Sequence, residues 1–251
     1  MSDSTTVLVT GVARGIGKGL AQAYLSRPNH TVIGTVRDTT SPTLDSLDSH
    51  PKAPGSRLIL ANLESTNPDD YPKLISTIQS AGVTHLDLVI PNAGVATPAG
   101  SPATVSTEDV TKVFEVNTLG TLRLFQATRG LLEKSPGTPK WVSVSSVVAS
   151  ITELEKFGTA VMAPYALSKT ALNWLTVAVH ASEKWLVAFA IHPGLVQTDM
   201  GNSGAKLLGF EEAPNTIEEA VTKTLATIDG ATREGTSGKL LNVIDGAEIP
   251  W

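Results

Sequence analysis

Seven short apolar runs recur along the chain, most of them separated by helix-length amphipathic stretches. This alternation is the tightest constraint on what the chain can fold into. The runs are TTVLVT (5–10), TVIGTV (31–36), RLIL (57–60), LDLVI (86–90), KWVSVS (140–145), LVAFAIH (186–192) and KLLNVI (239–244). Several are apolar at consecutive positions rather than at every second one, the pattern of strands buried on both faces. Between them, helical spacing of apolar residues predicts helices at about 15–27, 68–81, 106–134, 163–184 and 215–229. Ser106 with Asp109 has the form of a capping box opening the third. Strands alternating with helices make a parallel sheet covered on both faces. The expected fold is therefore α/β, one doubly wound domain with about seven parallel strands. In such sheets ligands bind beyond the carboxyl ends of the strands.

No repeat or linker divides the 251 residues, so the domain is expected to span 1–251. With 41% hydrophobic and 17% charged residues, the chain can bury a large core and is not of disordered composition. Segments 41–56 and 91–104, rich in Ser, Thr, Pro and Gly, are expected loops, as is 197–214, with room for one short helix. The net charge of −5 is spread without a basic block, so neither nucleic acid nor an anionic membrane surface is an expected partner. The absence of cysteine excludes disulfides, thiol nucleophiles and cysteine metal sites. The five histidines show no ligand spacing, and no metal is expected. The first residues lack the form of a signal peptide and no apolar run is long enough to span a bilayer, so a cytoplasmic protein is expected. Trp141, Trp174, Trp185 and Trp251 are scattered and read as packing residues.

TGVARGIG (10–17) lies at the first strand–helix junction. Gly11 permits a tight turn, and Gly15 and Gly17 let the backbone approach something bulky. The helix that follows presents free amides to an anion, for which a nucleotide pyrophosphate is the natural candidate. An ordinary strand–helix turn is the alternative. The spacing is G-x-x-x-G-x-G rather than G-x-G-x-x-G. With the threonine before it, this segment resembles the cofactor loop of the short-chain dehydrogenase/reductase family. The resemblance continues in the family's order through PNAG (91–94), NTLG (117–120), VSVSS (142–146), YALSK (165–169) and HPGLVQT (192–198). The carboxyl-terminal GKLLNVIDGAEIPW is similar to that of fungal norsolorinic-acid-type ketoreductases and related carbonyl reductases.

The resemblance implies a Rossmann-type dinucleotide site. Its residues would be Gly11, Arg14, Gly15, Ile16 and Gly17 in the first loop, Arg37, Asn62 and Leu63 toward the adenosine, Asn92, Ala93 and Gly94, and Pro193, Gly194, Val196 and Thr198 toward the nicotinamide, with Tyr165 and Lys169. Val36 occupies the family's usual acidic position, and it carries no charge to meet a ribose 2′-hydroxyl. Arg14 and Arg37 could instead hold a 2′-phosphate through charge-assisted hydrogen bonds. NADP(H) is therefore the expected cofactor. Asp38 would oppose this if it turned inward, and is more simply a turn former. Pro91, Ala13 and Asn62 depart from the family's usual Asn, Asn or Ser, and Asp; an amide at 62 can still hydrogen-bond adenine.

Tyr165 and Lys169 are four residues apart, on one face of a helix. A phenol titrates near pH 10, and a nearby ammonium is expected to lower that by about 1–3 units. Tyr165 is then a general acid for a carbonyl oxygen receiving hydride. The resemblance gives Lys169 the nicotinamide ribose and Asn117 a helix bend and a water in a proton relay. It gives Ser146 a hydrogen bond to the substrate oxygen. Ser145 and Ser150 compete for that last role. Ser146 precedes Tyr165 by more residues than is usual, and the extra ones are expected to build a wall of the substrate site. Segments near 95–104, 147–164 and 197–214 would shape that site. Met162, Leu195, Met200, Leu207, Leu208 and Phe210 favour an apolar or aromatic substrate.

The activity expected is NADPH-dependent reduction of a ketone or aldehyde, in secondary metabolism by the narrower resemblance, in a homodimer or homotetramer. A reductase of imines or quinones on the same scaffold is an alternative, as is a non-catalytic dinucleotide sensor. The latter would have no need of Asn117, Ser146, Tyr165 and Lys169.

Overall fold

The computed structural model describes residues 4–97 and 99–251; residues 1–3 of the expected domain and position 98 of segment 95–104 lie outside it. Strands β1 (Thr5–Thr10), β2 (His30–Val36), β3 (Arg57–Asn62), β4 (Leu88–Ile90), β5 (Lys140–Val144), β6 (Val187–His192), β7 (Leu240–Asn242) and β8 (Glu248–Ile249) form one sheet in the order β3-β2-β1-β4-β5-β6-β7-β8. The first seven run parallel, as expected. The eighth, antiparallel to β7, is an addition: two residues returning from a turn carry no readable period.

Helices α1 (Gly15–Leu25), α2 (Asp45–Asp48), α3 (Asp70–Ser80), α4 (Thr107–Phe114), α5 (Gly120–Leu132), α6 (Ala163–Ser182), α7 (Asp199–Leu207) and α8 (Ile217–Asp229) complete the chain. On one face, Leu20, Tyr24 and Leu25 of α1 and Val221 and Ile228 of α8 pack on Val7, Val9, Val32 and Val142. On the other, α3, α5 and α6 bring Leu74, Ile78, Leu124, Leu172 and Val179 onto Leu8, Ile33, Val89 and Trp141. Neighbouring strand residues thus face opposite helical layers, which is why the runs are apolar throughout.

The expected helix at 106–134 is interrupted. Ser106 caps α4 by accepting from the Glu108 amide at 3.1 Å, and one π turn at Glu115–Leu119 joins α4 to α5. The return bond expected of Asp109 is absent among the described contacts. Segment 41–56 contains the single turn α2, and 197–214 contains α7. Trp141 is fully buried, whereas Trp174 stands 73% exposed on the outer face of α6, contrary to a packing role. It borders an apolar groove with Phe114, Leu122 and Leu175.

The strand order reverses between β1 and β4. From β1 the chain moves outward through β2 and β3, then returns to the other side. Crossovers diverge at that point and leave a crevice above the strand ends.

Candidate active site

Every residue expected to touch cofactor or substrate follows the carboxyl end of a strand or lies on a helix leaning over that edge. Gly11 to Gly17 follow β1, Arg37 follows β2, Asn62 ends β3 and Leu63 follows it. Asn92 to Gly94 follow β4, Ser146 follows β5, and Pro193 to Thr198 follow β6. Asn117 lies in the π turn, and Tyr165 and Lys169 lie in the first turns of α6.

The crevice floor is stitched across the β1–β4 switch point. Asn92 donates its side-chain amide to the Thr10 carbonyl at 2.8 Å, and the amides of Asn92 and Ala93 donate to Thr10 Oγ1 at 3.0 and 2.9 Å. Gly11 has φ +73°, the left-handed region. A Cβ on Gly17 would lie 2.4 Å from the Gly11 carbonyl oxygen and from Asn92 Nδ2. What excludes a side chain at Gly17 is therefore the chain's own Gly11 and Asn92, rather than the bound group expected there. The first turn of α1 has no side-chain cap and no acidic residue, so its amides remain available to an anion. Glycine cradle, uncapped amides and neighbouring guanidiniums together fit a dinucleotide pyrophosphate.

Val36 is buried at the end of β2, and Arg37 beyond it is exposed with no ion pair or hydrogen bond among the described residues. Asp38 accepts from the amide and hydroxyl of Thr40 at 2.8 and 2.7 Å, the turn-forming role expected of it. These bonds hold its carboxyl below the usual range. Arg14 pairs with Asp199, the first residue of α7. Asn62 donates to the buried Asp70 at 3.3 Å.

Three serines were candidates for one role, and their bonds separate them. Ser145 Oγ, buried, donates to Asn173 Oδ1 at 2.6 Å. Ser150 Oγ donates to the Pro250 carbonyl at 2.5 Å and accepts from the Glu153 amide at 3.1 Å. Ser146 Oγ accepts from the Val148 amide at 3.3 Å and donates to no backbone or amide group among the described contacts. Its hydroxyl faces the Tyr165 phenol, on which it acts by hydrogen bonding.

Lys169 is buried and donates to the Val144 carbonyl at 2.8 Å, with its nitrogen 5.6 Å from the centre of the Tyr165 ring. Burial lowers Lys169 to about 8. The phenol departs from expectation. It is pushed up to about 12, because enclosure disfavours phenolate more than the Ser146 hydroxyl favours it. Helical spacing brings the two groups together, but it carries no information about how dry their site is.

Asn117 places its amide between loop and helix. The Val95 amide donates to its Oδ1 at 2.9 Å, and its Nδ2 donates to the Val95 carbonyl at 2.9 Å and to Ser168 Oγ at 3.0 Å. Its own carbonyl accepts from Thr121 Oγ1 at 2.9 Å. Asn215 was not foreseen. It fixes the Pro193–Thr198 turn by accepting from the Leu195 amide at 3.1 Å and by a backbone bridge to Val196. Asn173, the anchor of Ser145, was missed as well. Both are amides in otherwise ordinary helical or loop sequence, without a local signal.

The segments expected to shape the substrate site are joined. Gly100 and Met162 form a backbone bridge, with the Gly100 amide donating to the Val161 carbonyl at 2.7 Å. The stretch 147–164 folds as 3₁₀ turns at Val147–Ala149 and Thr159–Val161. The chain end clips onto it: besides the Ser150–Pro250 bond, the Thr152 amide and hydroxyl donate to the Trp251 carbonyl at 3.1 and 2.6 Å. Ile151, Leu154 and Phe157 on this segment are exposed, as are Leu207, Leu208 and Phe210 at and beyond the end of α7. Among the described residues, no cluster of His, Cys, Asp or Glu could hold a metal ion. No described helix is long and apolar enough to cross a membrane.

The sequence model of the short chain dehydrogenases matches residues 5–207. A short-chain dehydrogenase of Neurospora crassa is 43% identical over 256 aligned positions, covering 100% of this chain and 99% of its own. The norsolorinic acid ketoreductase of Dothistroma septosporum is 42% identical, covering 100% and 94%. Among solved structures, the NADPH-bound carbonyl reductase from chicken fatty liver superposes with a TM-score of 0.85 at 30% identity, covering 99% of this chain and 95% of its own.

Proposed function

Because the chain belongs to the short-chain dehydrogenase family, we propose that it reduces a ketone or aldehyde to an alcohol, with NADPH as donor and Tyr165 as the proton source. The observation that carries this reading is the meeting of Tyr165, Lys169 and the Ser146 hydroxyl that faces the phenol above the strand ends. NADPH, when bound, supplies the hydride. Gly11 to Gly17 would admit its pyrophosphate, with Arg14 and Arg37 on the 2′-phosphate and Asn62 and Leu63 near the adenine. Asn92 to Gly94 and Pro193 to Thr198 would flank the nicotinamide end, with Lys169 on its ribose.

The chain's own groups then do three things. Ser146 donates a hydrogen bond to the carbonyl oxygen, where negative charge grows. Tyr165, neutral at pH 7 like any phenol titrating at 10 or above, delivers a proton to that oxygen. Lys169, with its pKa near 8, remains largely an ammonium at pH 7 and lowers the cost of the phenolate left behind. Asn117 sits in the π turn and holds the Val95 backbone against α6; by the family resemblance it would hold a water that relays protons to Lys169.

The apolar residues of 147–164 and 197–214 favour an apolar or aromatic substrate. The ketoreductase relatives point to the same class. The test is NADPH consumption over a panel of aromatic ketones, aldehydes, imines and quinones, with the product identified. A secondary or primary alcohol is expected, and Tyr165→Phe should lower turnover by about 10²–10⁴-fold while NADPH still binds. Turnover confined to imines or quinones, or a Tyr165→Phe variant as fast as wild type, would overturn the reading.

A further inference from the structure

Arg14 has two prospective partners. It follows β1, and the neighbouring strand β2 leads into Arg37, with which it would share a 2′-phosphate. In the structure its guanidinium is instead paired with Asp199 at the start of α7, with both partners about four-fifths exposed.

Asp199 is not occupied in building its own helix. Thr198 caps α7 by accepting from the Gly201 amide at 3.0 Å, and the Asp199 carboxylate has Arg14 as its partner. The approach is close, since a Cβ on Gly15 would lie 3.3 Å from Thr198 Cγ2. The start of α7 therefore sits over the glycine loop, where its carboxylate meets the arginine that follows β1.

We propose that Asp199 competes with the cofactor's 2′-phosphate for Arg14, and so sets how strongly this protein prefers the 2′-phosphorylated dinucleotide. The proposal rests on the NADPH reading. An exposed ion pair is a weak competitor, and a doubly charged phosphate taking several charge-assisted bonds displaces it. The phosphate therefore wins, but the pair must open first. A cofactor lacking the phosphate offers Arg14 no alternative and leaves the pair closed. Asp199 is thus a specificity-determining residue that acts through Arg14 without touching the phosphate.

The test measures binding by calorimetry rather than turnover, for NADPH, NADH and 2′,5′-ADP. The proteins are wild type, Asp199→Asn, Arg14→Ala and the double variant. Asp199→Asn should tighten NADPH and 2′,5′-ADP about two- to fivefold, the range of an exposed pair, and leave NADH unchanged. In the Arg14→Ala background the same substitution should have no effect. Equal gains for NADPH and NADH would mean general charge repulsion and overturn the proposal. A loss of NADPH affinity would mean that Asp199 aims Arg14 at the phosphate, and a gain persisting without Arg14 would remove the arginine from the argument. If the wild type binds NADH as tightly as NADPH and ignores 2′,5′-ADP, the cofactor reading itself falls and takes the proposal with it.

Discussion

Three serines within six positions should respond to alanine in three distinguishable ways. Ser145→Ala removes a buried 2.6 Å bond to Asn173, whose Nδ2 already has no partner. The amide is then left unpaired at both ends, at a cost of about 1–3 kcal/mol. For a chain of this size, 1 kcal/mol corresponds to about 2–4 °C, so a fall in Tm of about 2–12 °C is expected. Turnover should stay near wild type. Ser146→Ala takes from the Val148 amide only a 3.3 Å acceptor, so Tm should hardly move. What disappears is the donor to the developing oxyanion, which typically costs about 10²–10³ in kcat. Ser150→Ala removes one of the three bonds that hold the chain end to the proposed wall of the substrate site and takes the acceptor of the Glu153 amide, so KM should rise more than kcat falls. The assay pairs steady-state kinetics on one carbonyl substrate with thermal denaturation of each variant. The reasoning fails if Ser145→Ala slows turnover as much as Ser146→Ala at unchanged Tm. It fails equally if Ser146→Ala keeps more than about a tenth of wild-type turnover.

Other expectations follow from single contacts. Arg37→Ala should weaken NADPH binding about ten- to a hundredfold with little effect on NADH, and Val36→Asp should shift the kcat/KM ratio the same way; ratios within about twofold of wild type would count against both. Asn117→Ala leaves both Val95 backbone groups without a partner and takes one of two bonds from Ser168 Oγ, which still donates to the Tyr165 carbonyl; it should cost about 2–4 kcal/mol in denaturant unfolding. His192 is half-buried, with its Nδ1 enclosed and unpartnered, and desolvation lowers its pKa from 6.5 to about 4. The unfolded chain therefore takes up this proton first. The contribution is fully present above pH 6.5 and is lost as pH falls toward 4, about 3 kcal/mol in all. His192→Gln should flatten the stability–pH curve in that window, and an unchanged slope would refute the assignment.

The elements legible in the sequence are those set by local periodicity. Val7 and Leu8 face opposite layers, and a run apolar at both positions announces a strand covered on both sides. At Gly17 the need for a residue without a side chain was legible, but its cause, the nearness of Gly11 and Asn92, was not. What stayed hidden depends on partners distant in sequence. Ser145 and Ser146 are neighbours of one type, and only Asn173, 28 residues on, distinguishes them. The direction of the Tyr165 shift depends on how completely other segments close over it, which spacing to Lys169 does not encode. Arg14 was recognisable as a cation in a loop, but Asp199, 185 residues away, was not recognisable as its partner. β8 is too short to have a period at all.

The clip between Thr152 and Trp251 has a consequence for how substrate scope can be altered. Residues 150–152 belong to the segment proposed as a wall of the substrate site, whereas Pro250 and Trp251 follow β8, outside the stretch matched by the family's sequence model. The wall and the tail are therefore one module written in two places. Transplanting 147–164 alone into a related scaffold would deliver a loop without its fastening, and a change of tail would reshape the wall with no substitution in it. Exchange of both segments together is the recombination unit this architecture defines, and chimeras that carry the pair should inherit the donor's substrate range where single-segment chimeras do not.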